Sequence, residues 1–179
     1  QQLMTTFIEI QQEFGRCCRA NDGMSCIFTR TLNDGTRKMI ANRLNQYAAQ
    51  LDWNRVIGLV DVSKRHDATA GILVCDTKAY FYGGRNKPQK VWYDEVSRIA
   101  ILRTEEGFDY GVKFELDSNA DYLWKCDVVD CEAITKLIKS IKRINRAAAE
   151  EYSRVNLEYE NEAAGIEVGG LTVGSRGAV

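Results

Sequence analysis

The chain has one proline, one histidine and no CxxC pair, and its longest apolar stretches, such as residues 71–75, are a few residues long. Each shortage excludes something. A membrane-spanning helix needs about 20 consecutive apolar residues, and nothing here approaches that length. Every catalytic scheme that depends on histidine must run through His66. The cysteines, Cys17, Cys18, Cys26, Cys75, Cys126 and Cys131, fall into no zinc-ligand spacing. Cys75 sits inside an apolar run, and 179 residues bury enough surface to fold without covalent staples. The six are therefore expected to be reduced structural residues, with neither disulfide nor metal, and the compartment to be cytoplasmic. Neither charge prevails, with 24 basic against 25 acidic residues, so no global field draws in nucleic acid or an anionic membrane. The first residues lack the basic and apolar regions of a signal peptide. The chain opens on Gln1 and is expected to be a cut or processed piece, the front part of a longer protein.

What the sequence does have, between residues 54 and 126, is a series of seven short apolar runs separated by turn signals. They lie at 55–60, 70–75, 79–82, 90–93, 98–103, 108–116 and 121–126, and their connections are too short for parallel crossovers, so the sheet is expected to be antiparallel. Tyr110, Val112, Phe114 and Leu116 share one parity and Gly111, Lys113 and Glu115 the other, as in a sheet wet on one face. Pro88 is expected to open a strand, where its missing N–H is tolerated. An earlier alternating run over 25–32 reads as another strand and is followed by the turn Asn33, Asp34 and Gly35.

Helical periodicity surrounds the strands. Leu3, Phe7, Ile10 and Phe14 predict a helix over 2–14 ended by Gly15, and Met39, Ile40, Leu44, Tyr47 and Leu51 predict one over 36–51, with Asp34 helping to cap it. Asp130 is a good N-cap for a closing helix whose apolar face is Ile134, Leu137, Ile138, Ile141 and Ile144. Ala148, Tyr152, Val155 and Tyr159 prolong that face, so a helix over 130–162 would be about 50 Å long where roughly 25 Å caps a small barrel. The N-terminal stripe is expected to cover residues 148–159, in the same chain or in a homodimer through the long helix. Beyond 162, five glycines in fifteen residues predict a linker or tail, in which Ile166, Val168, Leu171 and Val173 suit a strand or hairpin. The expected organisation is an N-terminal helical extension (1–53), a strand-rich domain with its closing helix (54–162) and a glycine-rich tail (163–179).

The residues at 56–61 (VIGLVD), 69–76 (TAGILVCD), 78–82 (KAYFY) and 91–96 (VWYDEV) resemble the bacterial pleckstrin-homology-like (PH-like) domains over roughly 54–150. That resemblance implies an α+β fold, a seven-stranded antiparallel barrel or bent sandwich plugged by a C-terminal helix and used as a binding platform, without catalysis. Phosphoinositide-binding members place a lysine and a later Arg-x-Arg pair around the first two strands. Here the loop offers Lys64, Arg65 and His66, while the strand at 70–75 carries no basic residue.

These three residues are the candidate ligand site, a loop of donors suited to phosphate and flanked by Asp61 and Asp67, which are expected to neutralise it. No catalytic constellation and no cofactor motif is present: the glycines at 169–174 follow no strand and open no helix. The basic face of the closing helix has no interleaved aromatics to stack bases, so a nucleic-acid partner is not expected. The sequence thus predicts a non-enzymatic PH-like module for a protein partner or a neighbouring domain. The alternative is a peripheral binder of anionic lipid or phosphate.

Overall fold

The computed structural model describes residues 2–21, 24–126 and 130–171, with side chains described from residue 6 to residue 165. Helix α1 (Gln2–Ala20) leads into strand β1 (Ser25–Phe28) and helix α2 (Asp34–Leu44). Strands β2 (Val56–Asp61), β3 (Gly71–Cys75), β4 (Lys78–Gly83), β5 (Asn86–Trp92), β6 (Val96–Arg103), β7 (Asp109–Leu116) and β8 (Asp121–Lys125) follow. Helix α3 (Cys131–Leu171) closes the chain. All strand pairs are antiparallel, in one sheet ordered β1-β2-β3-β4-β5 and another ordered β6-β7-β8. The count among the described residues is eight strands, not the expected seven, because the run after residue 24 joins the first sheet. The sheets are also not closed into a barrel: no ladder joins them. Two features make the corners. Tyr93, Asp94 and Glu95 form a 3-10 turn from β5 to β6, fixed by the buried Tyr93 hydroxyl donating to the Cys75 carbonyl at 2.7 Å. At the opposite corner the Asn86 side chain donates to the Lys125 carbonyl and accepts from the Lys125 N–H, both at 2.9 Å, so one amide imitates a strand partner.

Strands β2, β3 and β4 of the first sheet are buried on both faces, which explains why they read as continuous apolar runs. Val60, Ile72 and Phe81 are register neighbours on the inner face, in the core shared with Val112, Phe114 and Trp124 of the second sheet and Ile134, Leu137, Ile138 and Ile141 of α3. Leu59, Leu73 and Tyr80, register neighbours on the outer face, pack with Ile40 and Leu44 of α2. The second sheet keeps a wet face, where Arg98–Glu115 (3.3 Å), Lys113–Asp121 (3.5 Å) and Arg103–Asp109 (2.8 Å) pair across strands. Pro88 lies in β5, an edge strand, beside a register irregularity that spares its missing N–H.

The helices differ from expectation in instructive ways. Helix α1 does not stop at Gly15. A Cβ there would stand 3.2 Å from the Phe28 ring, so the glycine serves the close approach of β1, with Phe14 and Phe28 edge to face at 5.4 Å. Asn33, not Asp34, caps α2 by accepting from the Thr36 N–H at 2.8 Å, and α2 ends at Leu44 where Asn45 takes a positive φ of 58°. Residues 45–50 continue as 3-10 helix rather than α-helix. Asp130 does cap α3, accepting from the Glu132 and Ala133 N–H groups at 2.9 and 3.2 Å. Helix α3 then passes residue 162 and Gly165 to reach Leu171, so the backbone at Ile166, Val168 and Leu171 is helical; Val173 and the rest of the tail lie outside the described residues.

The N-terminal helix does not cover residues 148–159. Ile10 and Phe14 are fully buried in the same core as the first turns of α3, and Cys17 Sγ donates to the Ala133 carbonyl at 3.5 Å; Leu3 lies outside the residues whose side chains are described. The decisive fit is at Gly58, where a Cβ would come within 2.7 Å of the Phe14 ring. Complete burial of two large apolar side chains, worth about 1.5–3 kcal/mol each, outweighs partial contact with a projecting helix. Within the N-terminal extension, β1 pairs with β2 and α1 packs into the core of the strand-rich part.

The cysteines also need correcting, since Cys18 and Cys26 form a disulfide, with Cα atoms 5.9 Å apart, between the last turn of α1 and β1. Spacing in sequence did not reveal it, because the pairing depends on the chain reversing between helix and strand.

Two stability outcomes follow from this packing. Ile138→Asp places an unpaired carboxylate at a fully enclosed position and is expected to cost several kcal/mol; loss of the cooperative thermal transition by circular dichroism checks it. Cys26→Ser is expected to lower urea stability by about 2 kcal/mol, and reductant to do the same to the parent while leaving the variant unchanged.

Candidate functional site

The loop between β2 and β3 is built around one buried acid. Asp61 ends β2 with 4% of its surface exposed, and its carboxylate accepts three hydrogen bonds. Oδ1 accepts from the Ser63 N–H at 2.9 Å and the Ser63 hydroxyl at 2.6 Å, and Oδ2 accepts from the Ala68 N–H at 3.1 Å. Ser63 Oγ accepts in turn from the Asp67 N–H at 3.0 Å. Asp67 accepts from the Thr69 hydroxyl at 2.6 Å, and that bond holds its carboxyl below the usual range. From beneath, the buried Tyr82 hydroxyl donates to the Ala68 carbonyl at 2.7 Å, and burial pushes this phenol well above its ordinary pKa. Gly83, at φ +87°, lets β4 pass Ala70 where a Cβ would come within 2.4 Å of its Cα.

This scaffold presents Lys64, Arg65 and His66 at the surface, with His66 held at φ 56° and Ala68 at φ 62°. The structure therefore brings the three predicted site residues together on one apex. The Asp61 carboxylate faces inward and that of Asp67 accepts from Thr69, and neither is in an ion pair with Lys64, Arg65 or His66 among the described residues. The sequence carried a signal for this, because an Asp-x-Ser start followed by Asp-x-Thr is the pattern of side chains that turn back onto backbone N–H groups.

A second surface was missed by sequence reasoning. Trp92, 37% exposed on edge strand β5, has Lys78 Nζ 4.6 Å and Lys90 Nζ 5.2 Å from its ring centre. Lys90 also lies 5.7 Å from the Tyr47 ring and donates to Gln50 Oε1 at 2.8 Å. Register places Lys78 opposite Trp92, and Lys90 shares its parity, so alternation in 86–92 was the available clue. The result is a cationic, aromatic patch close to the Asp76 turn, whose carboxylate is already paired with Arg55 at 2.9 Å.

Burial pushes Cys75 up to about 12 and Cys131 up to about 11, and it raises Cys17, the one free cysteine among the described residues that is partly exposed. Among the described residues no three metal-ligating side chains cluster, and no helix is long and apolar enough to cross a membrane.

Asp61→Ala removes the acceptor of three hydrogen bonds and is expected to cost about 1–3 kcal/mol. Hydrogen exchange checks it: the Ala68 amide loses protection before the flanking strands do.

Compared with known proteins, the chain stands apart: no family model, no curated protein and no solved structure matches it.

Proposed function

We propose that this chain is a non-enzymatic PH-like binding and scaffolding module, acting on a protein partner or on a neighbouring domain of a longer bacterial protein. The carrying observation is topological. With β1 set aside, β2–β5 and β6–β8 are four and three antiparallel strands, with the first half of α3 seated between them. Strand β1 and helices α1 and α2 then read as additions that cover one edge and one face of that unit. The raised thiols support the non-enzymatic side of the proposal, since a protonated thiol is a poor nucleophile. The surfaces offered to a partner are the outer edge of β6 and the projecting part of α3. Nucleic acid is not part of this reading. The cytoplasmic placement expected from the sequence is not carried into this proposal, because the Cys18–Cys26 disulfide is a bond that persists in an oxidising compartment.

The second reading is a peripheral binder of phosphate or anionic lipid. The exposed apex of Lys64, Arg65 and His66 favours it, on a loop whose two carboxylates accept hydrogen bonds from Ser63, Ala68 and Thr69 rather than pairing with these residues. Against it stands β3, which adds no basic residue to the apex.

Sedimentation with vesicles containing a phosphoinositide separates the two. The leading reading expects the protein to stay in the supernatant at physiological salt. Pelleting that the double variant Lys64→Ala with Arg65→Ala abolishes would replace it with the second.

A further inference from the structure

A groove lies between α1 and β1, on the side of the molecule away from α3. Ile8, Gln12, Gly15 and Arg19 follow one another at steps of four, three and four residues and so share one face of α1, with Gln11 beside them. That face, together with Phe28 of β1 and Arg30 just after it, lines a cavity of about 270 Å³. Strand β1 is outermost in its sheet: β2 pairs with one side of it, and no strand pairs with the other among the described residues. Gly15 opens the middle of the groove. A Cβ there would stand 3.2 Å from both Arg19 Nη1 and the Phe28 ring, so guanidinium and ring converge on the space a side chain would take. The Arg30 guanidinium lies 5.6 Å from the centre of the same ring.

The charge here is of one sign. Neither Arg19 nor Arg30 forms an ion pair among the described residues. No acid is among the described residues that line the cavity. The acids of α1 are placed elsewhere: Glu13 pairs with Arg16 in a separate cavity between α1 and α3, and Glu9 is exposed and outside the lining. The other polar groups of the lining are the Gln11 and Gln12 amides, neutral donors and acceptors. Ile8, 45% exposed, adds an apolar surface. The walls are also tied together, because Cys18, next to Arg19, is bonded to Cys26, two residues before Phe28. A groove with fixed walls carries less of the ordering cost of binding.

We propose that this groove binds an extended acidic segment of a protein partner, with a glutamate or aspartate carboxylate seated between Arg19 and Arg30 and a neighbouring apolar side chain against Ile8 and Phe28. Guanidinium groups match carboxylates with paired hydrogen bonds, and these are stronger than bonds between neutral groups. A bare anion would use only the two arginines. A peptide also gives the apolar surface and the two amides something to meet, and β1 has an outer edge without a strand, the kind of edge at which extended segments add. Such binding rests on the reading of this chain as a protein-binding module and names the partner's chemistry, but it uses none of Lys64, Arg65 and His66.

Fluorescence anisotropy of the whole, disulfide-bonded chain with a dye-labelled peptide of alternating glutamate and leucine tests it. Saturable binding is expected, weakened as sodium chloride is raised and lost for the peptide in which glutamine replaces glutamate. Arg19→Gln combined with Arg30→Gln is expected to weaken binding by about tenfold or more. The thermal transition should stay unchanged because both side chains are exposed, and Lys64→Ala with Arg65→Ala should leave binding as it is. A glutamate peptide that fails to bind overturns the groove and leaves the module reading, which vesicle sedimentation tests, where it stood. Equal binding of the glutamine peptide, or full binding by the arginine double variant, overturns the charge match. Loss of binding in the Lys64 and Arg65 variant overturns the groove in favour of the loop apex.

Discussion

Two sheets that share no ladder must be held together by side-chain packing, and here Phe81 against the second sheet and the first three turns of α3 supply it. Ile134, Leu137, Ile138 and Ile141 touch a core contributed by both sheets, and the helix is fastened at each side by Lys142 to Val96 and Asn145 to Asp76. Remove that face and the inner surfaces of β2–β5 and β6–β8 keep their direct contact, Phe81 against Phe114, Tyr122 and Trp124, and the corner bonds of Asn86 and Tyr93, but lose much of their shared apolar cover. Non-directional burial does most of this holding. The polar bonds at the helix exit set the angle at which the rest of α3 leaves.

The same constraint explains the N-terminal elements. A sheet buried on one face would leave Leu59, Leu73 and Tyr80 open to water, and α2 covers them. The core beside β1 and β2 would be open at its side, and α1 fills it with Ile10 and Phe14. Gly15 and Gly58 are the positions where side chains are omitted so that aromatic rings can enter. These additions leave the loop apex, the Trp92 patch and the far half of α3 at the surface, which is why each is a candidate for contact with something else.

The loop at 61–70 shows how charge in sequence differs from charge in space. Five of its residues are ionisable, and adjacency suggests that they cancel. Folding assigns them different tasks: Asp61 becomes a buried acceptor for backbone and hydroxyl, Asp67 a turn-former, and Lys64, Arg65 and His66 remain solvated. A buried carboxylate that already accepts from three donors at 2.6–3.1 Å is turned away from the neighbouring lysine.

Much of the architecture was legible in the chain itself. Alternation and turn residues located all eight strands to within a few residues, the periodic stripe and Asp130 located α3 and its cap, and the grouping of Lys64, Arg65 and His66 followed from adjacency. These are local properties, governed by backbone sterics and by which side of an element is apolar. Tertiary structure decided the rest. It gave Gly15 a packing role instead of a stop, joined Cys18 to Cys26, set Trp92 between two lysines, and seated α1 on the first turns of α3 instead of the overhang. In each case the outcome depended on which surfaces met across many residues of chain. A stripe of Phe and Ile records that it must be buried, but its partner is chosen by shape, and the gap at Gly58 exists only once β1 and β2 have paired.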